Sequence, residues 1–188
     1  PSARENYAKM GGGSPLLPET KKQADALDAE LARRGHDAKC FIAMRYWKPY
    51  AADAVSDVVA WGADKVVLLP LYPQFSTTTT GSSLKSWKDA GGPPGVAVCC
   101  YPDAPKFIAA HAEKLLTAWQ IAGKPSNVRT LLSAHGLPEI VVKSGDPYQW
   151  QVERTVAALK RLLPSDWETE ICYQSRVGPL RWIGPPTE

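Results

Sequence analysis

The strongest constraint on the fold is an apolar run that ends abruptly in a histidine. Residues Leu131 to Ala134 are followed by His135, and Gly136 and Pro138 come straight after it. A short apolar run closed by Gly and Pro is typical of a buried strand. The pattern predicts that the strand delivers the His135 imidazole to its carboxyl end, where open α/β sheets bind ligands. Taken alone, a single histidine at such a position is more often an ordinary turn residue than a functional one.

The two segments after this run extend the prediction. Asp146 and Pro147 suit the N-cap and first turn of a helix. A second apparent strand, at residues 168–173, then ends in the polar segment Gln174 to Arg176. Because the carboxyl ends of parallel strands meet at one sheet edge, we expect this polar segment to lie at the same edge as His135.

The rest of the chain alternates helical and strand patterns. Helices are predicted at residues 18–34, 51–61, 82–87, 105–120 and 146–163, and strands at residues 40–47, 65–71, 96–101, 128–133 and 168–173. This alternation predicts an α/β fold with parallel sheets and right-handed crossovers. The hydroxyl-rich loop at residues 72–80 is long for a strand-to-helix connection, which favours a functional role.

Charge and cysteine content narrow the function classes. The net charge is +3 and the basic residues are scattered, so we expect no nucleic-acid partner. No apolar run approaches the ~20 residues of a membrane span. The four cysteines form no CxxC pair, which favours free thiols in a reducing compartment. We therefore expect a cytoplasmic protein, with peripheral membrane contact left open.

A set of short motifs resembles those of the ferrochelatases, enzymes that insert ferrous iron into a porphyrin. They follow the family's order along nearly the whole chain: GGGSPL at 11–16, RYW at 45–47, YPQFS at 72–76, GSSL at 81–84, SAHGLP at 133–138, GDPY at 145–148 and QSRVGP at 174–179. Each motif alone is weakly specific, and the ordered set is specific.

The resemblance implies an α/β fold of two Rossmann-like halves, each a parallel sheet flanked by helices. The linker-like segment at residues 121–126 predicts a boundary, with a first half at residues 1–120 and a second half at residues 121–188 that contains His135. The family's first strand and the later part of its second half have no counterpart here. We therefore expect the second half to be incomplete and this segment alone to be inactive.

The resemblance also implies a set of site residues. His135 is the catalytic and metal-binding residue, since a neutral imidazole can accept a pyrrole proton or bind a borderline divalent metal. Both roles stay open, and the family's partner glutamate lies outside this sequence. Tyr7 and Ser14 are implied to hold a porphyrin propionate. The remaining implied substrate-binding residues are Arg45, Tyr46, Gln74, Ser76, Ser133, Gln174, Ser175 and Trp182.

The implied reaction is the insertion of ferrous iron into protoporphyrin IX, which forms protohaem in the last step of haem biosynthesis. Iron and protoporphyrin are then the substrates, and we expect no tightly bound cofactor. Some ferrochelatases hold an iron–sulfur cluster, and in the animal members one ligand lies in the loop after the YPQ motif. Here that loop, residues 76–80, contains no cysteine and the sequence shows no C-terminal cysteine group, so we also expect no cluster. The alternatives are a non-catalytic tetrapyrrole-binding module and a chelatase for another metal or for coproporphyrin. A nucleotide-binding domain with a phosphate loop at residues 76–83 is disfavoured because this loop contains no lysine.

Overall fold

The computed structural model describes Glu5, Tyr7, Ala8 and residues 11–187. Within residues 11–187 the helices are α1 (Leu16–Arg33), α2 (Ala51–Trp61), α3 (Ser82–Asp89), α4 (Pro105–Ile121), α5 (Glu139–Lys143) and α6 (Tyr148–Lys160). The strands are β1 (Val67–Leu68), β2 (Val96–Ala97), β3 (Arg129–His135) and β4 (Glu168–Gln174), and a π-helix covers Thr77–Gly81. The predicted α/β class, with short parallel sheets flanked by helices, is confirmed.

The strands form two parallel pairs. β1 pairs with β2, and β3 pairs with β4 from Arg129 opposite Glu168 to His135 opposite Gln174. His135 and Gln174 therefore lie side by side at the carboxyl edge of their sheet. The prediction that both strands end at one edge is confirmed, and the strands extend slightly beyond the predicted ends.

Strands β1 and β2 are shorter than their apolar runs indicated. Pro70 and Pro73 follow β1, and neither has an amide hydrogen to donate to a neighbouring strand. The pairing continues only through isolated bonds, in which the Val98 amide donates to the Leu68 carbonyl at 2.9 Å and the Tyr101 amide donates to the Pro73 carbonyl at 2.8 Å.

The strand predicted at residues 40–47 is wrong, since this part of the described chain forms no strand. The Cys40 amide donates instead to the Asp28 carboxylate at 2.7 Å. Met44 makes only an isolated bridge to Tyr50. A strand needs a neighbour that accepts and donates along its length, and an apolar pattern by itself does not supply one.

The chain divides into two compact units, one of residues 1–66 with 85–95 and the other of residues 67–84 with 96–188. In the first unit α2 buries Ala51, Ala54 and Val58. The second unit has a core between α4 and α6, made of Ile108, Ala112, Ala158, Leu159 and Leu163. The proposed boundary between residues 120 and 121 stays a prediction.

A second apolar cluster in the second unit supports the sheet edge that holds His135. Its buried members are Val152, Tyr173 and Ile183. Ala134 and Leu137, which flank His135 and Gly136 along the chain, pack against it. The backbone on both sides of the imidazole is therefore anchored in the core.

We predict that the core around α6 is intolerant of truncation. Leu159 is 2% exposed, so Leu159→Ala in the full-length protein should lower the free energy of unfolding by about 2–5 kcal/mol, because the lost methyl groups leave a cavity. Leu162 is 49% exposed, and Leu162→Ala should change it by less than about 0.5 kcal/mol. Urea unfolding of both variants measures the difference, and equal losses would contradict the assignment of this core.

Candidate functional site

His135 presents its imidazole at the end of β3. The side chain is exposed, and Nδ1 lies 3.1 Å from the Gly136 carbonyl oxygen. Because a carbonyl oxygen only accepts hydrogen bonds, Nδ1 holds the proton of the neutral ring. The Nε2 lone pair is then available to a proton or a metal ion from outside the protein.

Gly136 allows the chain to approach its neighbours closely just after the imidazole. Its amide donates to the Gln174 carbonyl at 2.8 Å. A Cβ atom at this position would lie 3.0 Å from that oxygen and 3.2 Å from the Trp182 ring. Because Gly136 has no side chain, the Gln174 backbone and the Trp182 indole can approach it closely.

Trp182 is held in this position by the backbone around it. The Glu139 amide donates to the Arg181 carbonyl at 2.8 Å, and the Ile183 amide donates to the Leu137 carbonyl at 3.0 Å. These two bonds fix the residues before and after the indole against the segment that follows Gly136. The half-buried ring thus lies beside the same chain segment as the imidazole, and its predicted contact with a substrate stays a prediction.

The segment after β4 makes a sharp turn. Ser175 has a φ of 68° and Gly178 a φ of 72°, both in the left-handed region. The Val177 carbonyl accepts a hydrogen bond from the Trp182 indole at 3.1 Å. The polar residues Gln174 and Ser175 therefore lie at the start of a turn that also holds the indole. Whether they contact a substrate stays a prediction.

Ser133 lies two residues before His135 on β3. Its hydroxyl is exposed and lies 3.0 Å from the Thr187 hydroxyl. The Thr187 amide donates to the Tyr173 carbonyl at 3.0 Å, which keeps the end of the described chain beside β4. Ser133 thus contacts this segment, and its predicted contact with a substrate stays a prediction.

Asp146 organises the hydroxyl-rich loop. Its Oδ2 accepts hydrogen bonds from the Thr77 amide and hydroxyl, both at 2.7 Å, and from the Ser76 hydroxyl at 3.0 Å. Its Oδ1 accepts from the Tyr148 amide at 3.0 Å. From the sequence, Asp146 was expected only at the start of a helix. The structure begins α6 two residues later and adds the larger role of holding a distant loop.

The charge state of Asp146 depends on those donors. Burial raises the pKa of the carboxyl group, but the hydrogen bonds from Thr77, Tyr148 and Ser76 outweigh it and leave the pKa lowered overall. The side chain is therefore an ionised anchor at neutral pH. Hydrogen bonds to a charged group are stronger than those between neutral groups, so the carboxylate and its donors hold one another in place.

Helix α6 holds the first part of the same loop. The Gln74 side chain donates from Nε2 to the Thr155 hydroxyl at 2.8 Å. The Phe75 amide donates to the Gln151 Oε1 at 2.7 Å. Ser76 is only 1% exposed. The side chains of Gln74 and Ser76 are thus engaged within the protein, and their predicted contact with a substrate stays a prediction.

The π-helix in this loop was not anticipated from the sequence. It begins after Ser76, whose hydroxyl accepts a hydrogen bond from the Thr78 amide at 3.1 Å. Thr80, inside it, is fully buried. The run of four threonines with a serine before it was the available signal, since hydroxyl side chains favour local bonds to the backbone.

Tyr148 is a second residue that the sequence analysis did not assign to the site, although it ends the GDPY motif. Burial raises the pKa of its hydroxyl, and a hydrogen bond from the His135 backbone partly opposes that rise. The Tyr148 hydroxyl therefore interacts with the backbone of His135. The neighbouring Tyr173 is 1% exposed, and burial raises the pKa of its hydroxyl to about 12.

The first compact unit contains the other predicted site residues. Tyr7 and Ser14 line one open cavity of about 470 Å³ together with Trp47. The Arg45 guanidinium lies 4.7 Å from the centre of the Tyr46 ring, and Tyr46 is 75% exposed. The structure thus brings Tyr7 and Ser14 together and places exposed aromatic side chains on the segment that follows residue 44.

Two negative findings apply to the described residues. Among them, no three His, Cys, Asp or Glu side chains gather in a way that could hold a metal ion. None of the helices formed within residues 11–187 is both long and apolar enough to span a bilayer. The expected absence of an iron–sulfur cluster stays a prediction.

The fold and the site define an α/β protein that presents an exposed imidazole at the carboxyl edge of a parallel sheet. Comparison with protein families matches residues 1–188 to the family described as Ferrochelatase. The chain belongs to the ferrochelatase family, as the motifs indicated.

Individual relatives agree with this assignment. The ferrochelatase of Hyphomonas neptunium is 60% identical over 192 residues, which cover the whole chain and 54% of that protein. The ferrochelatase of Caulobacter vibrioides is 60% identical over 191 residues and is covered to 55%. That of Pelagibacter ubique is 42% identical over 196 residues and is covered to 56%. The chain spans about half the length of the curated relatives it matches.

We predict that Asp146→Asn destabilises the full-length protein by about 1–3 kcal/mol at neutral pH, because an amide cannot accept all the donors that face the carboxylate. Folding lowers the pKa of Asp146 below its ordinary value of 3.8. The carboxylate therefore contributes fully to the free energy of unfolding above pH 3.8, and this contribution is lost as the pH falls through the pKa of the folded state. Urea unfolding of both proteins at neutral and at increasingly acid pH measures this.

The matched control is Asp103→Asn, which removes an exposed ion pair with Arg154. Solvent screens such a pair, so Asp103→Asn should lower the free energy of unfolding much less than Asp146→Asn does. A difference between wild type and Asp146→Asn that grows as the pH falls would contradict the anchor role.

We predict that Gly136→Ala destabilises the protein by about 1–3 kcal/mol, because the new methyl group forces the chain away from its neighbours. The contacts at 3.0 Å and 3.2 Å involve a backbone oxygen and an indole ring. Gly13→Ala is the control, since a Cβ there meets nothing within 4 Å. Urea unfolding compares the two variants, and equal stability of Gly136→Ala and Gly13→Ala would contradict the close approach at Gly136.

Proposed function

We propose that the full-length protein inserts ferrous iron into protoporphyrin IX and forms protohaem. The observation that carries the proposal is the exposed His135 imidazole at the sheet edge, with Nδ1 bonded to a carbonyl and Nε2 available. Membership of the ferrochelatase family supports a chelatase activity in haem synthesis. The choice of metal and porphyrin is part of the proposal.

Metal insertion exchanges the protons of the pyrrole nitrogens for one divalent ion. Those protons need an acceptor, and an imidazole exchanges protons near neutral pH. We assign this role to the Nε2 atom of His135, which releases the proton to water afterwards. Binding of the incoming ferrous ion by the same atom is the second candidate, because imidazole also suits divalent iron.

The macrocycle is a flat apolar body with carboxylate tails, so its site requires flat apolar contacts and a few directed donors. We propose that the Trp182 ring packs against the flat face of the macrocycle, since it lies close to Gly136, the residue after His135. We assign a propionate to Tyr7 and Ser14, because a phenol and a hydroxyl that line one cavity can both donate to a carboxylate. Arg45 and Tyr46 are proposed to contact the substrate through their exposed segment.

We propose a cytoplasmic location. The support is that the cysteines of the described chain are free thiols, which a reducing compartment maintains. Peripheral contact with a membrane stays part of the same proposal.

The test is metal insertion by the full-length protein, followed by the loss of porphyrin fluorescence with ferrous iron or zinc. His135→Ala should lower the rate by about 10²–10⁴-fold, the usual contribution of a positioned acid or base. His36→Ala is the matched control, because His36 is exposed and follows the turn at the end of α1, and this variant should retain full activity. Imidazole added to His135→Ala should restore part of the rate if His135 accepts a proton.

Full activity of His135→Ala would refute the assigned role. Porphyrin binding by the wild type without any metalloporphyrin product would instead support a non-catalytic binding module. Faster turnover of coproporphyrin than of protoporphyrin would change the proposed substrate and leave the role of His135 intact.

A further inference from the structure

We propose that Tyr148 is a positioning residue for His135, whose backbone amide its hydroxyl holds at the carboxyl end of β3. This inference rests on the proposed function, because it gives Tyr148 a part in the reaction that is assigned to the His135 imidazole. Tyr148 acts through His135 and is assigned no contact with the porphyrin or the iron.

The backbone amide of His135 points away from β4. The next amide along the chain, that of Gly136, donates to the Gln174 carbonyl at 2.8 Å, and successive amides of a strand point to opposite edges. Within the part of the chain that the structure describes, β3 has only β4 as a neighbouring strand. The pairing of these two strands therefore does not hold the His135 amide, although it holds the residue after it.

The hydroxyl of Tyr148 supplies an acceptor for that amide. Its hydrogen bond with the His135 backbone lowers the pKa of the phenol, against the rise that burial causes. A bond that lowers the pKa of an acid stabilises the charged form, so the backbone group is the donor and the phenol oxygen accepts. The hydroxyl thus takes the place that a carbonyl of a neighbouring strand would have.

The phenol is anchored independently of the imidazole. Tyr148 begins α6, and its amide donates to the Asp146 Oδ1 at 3.0 Å. Its half-buried ring packs against the apolar cluster that contains Tyr173, and so does Ala134, the residue before His135. A helix end and a packed ring therefore carry the hydroxyl, and groups supported in this way hold a site within a narrow range of positions.

The His135 imidazole needs this support because it is exposed, with its Nδ1 close only to the carbonyl oxygen of the next residue, Gly136. The position of Nε2 is therefore set by the backbone at the end of β3. Proton transfer requires heavy atoms about 2.6–3.2 Å apart. Loss of the Tyr148 hydroxyl should widen the range of Nε2 positions and slow the transfer, while leaving the binding of the porphyrin unchanged.

The test is Tyr148→Phe in the full-length protein, because this change removes the hydroxyl and keeps the ring in the apolar cluster. We expect kcat for metal insertion to fall on the order of tenfold with an unchanged KM for the porphyrin. We also expect the His135 amide to exchange with solvent on the order of tenfold faster. Nuclear magnetic resonance of protein labelled with ¹⁵N-histidine measures that exchange, and His135→Gln identifies the signal.

Two controls separate positioning from a general loss of stability. Tyr101→Phe removes another half-buried hydroxyl, which donates to the Pro70 carbonyl at 3.3 Å, and it should leave kcat and the His135 amide unchanged. The amide of His111, inside α4, is the internal reference. It should exchange at the wild-type rate in Tyr148→Phe, whereas a general loss of stability would speed its exchange as well.

The inference is overturned if Tyr148→Phe keeps the wild-type kcat, or if its His135 amide exchanges as in the wild type. It is also overturned if Tyr101→Phe lowers kcat equally, or if Tyr148→Phe raises KM alone, which would make Tyr148 a substrate contact. If the wild type inserts no metal into any porphyrin, the proposed function fails, and the amide exchange alone decides whether Tyr148 holds His135.

Discussion

The Asp146 carboxylate is the interaction on which the described site depends most. It is buried, and it accepts hydrogen bonds from Ser76, Thr77 and Tyr148, which belong to two distant parts of the sequence. A buried charge is costly unless donors compensate it, so the carboxylate and its donors must assemble together. One side chain thus couples the hydroxyl-rich loop to Tyr148, the first residue of α6.

The second constraint is the close approach at Gly136. The imidazole is exposed and makes few contacts of its own, so its position is set by the backbone. That backbone is fixed by the pairing of β3 with β4, by the cluster around Tyr173 and by the indole of Trp182 packed where a side chain would otherwise lie. The exposed imidazole therefore has a defined position although its own contacts are few.

Several elements could be predicted from residue pattern alone because their signals are local. The helix at residues 51–61, which ends at Gly62 with a φ of 80°, matched its prediction. The α/β alternation and the terminal position of His135 on its strand also agreed. The strand predicted at residues 40–47 failed, since pairing with a distant neighbour decides whether an apolar run becomes a strand. The π-helix was missed because its shape depends on Asp146, far away in the sequence.

By itself, the sequence determined the class of fold, the family and the identity of the exposed imidazole, because periodicity, turn residues and short motifs are properties of adjacent residues. Only the tertiary structure decided that Asp146 holds Ser76 and Thr77 of the hydroxyl-rich loop, and that Gly136 admits the Trp182 ring. The physical reason is that hydrogen bonds and packing contacts between distant segments depend on where folding places them, and no local pattern records that placement.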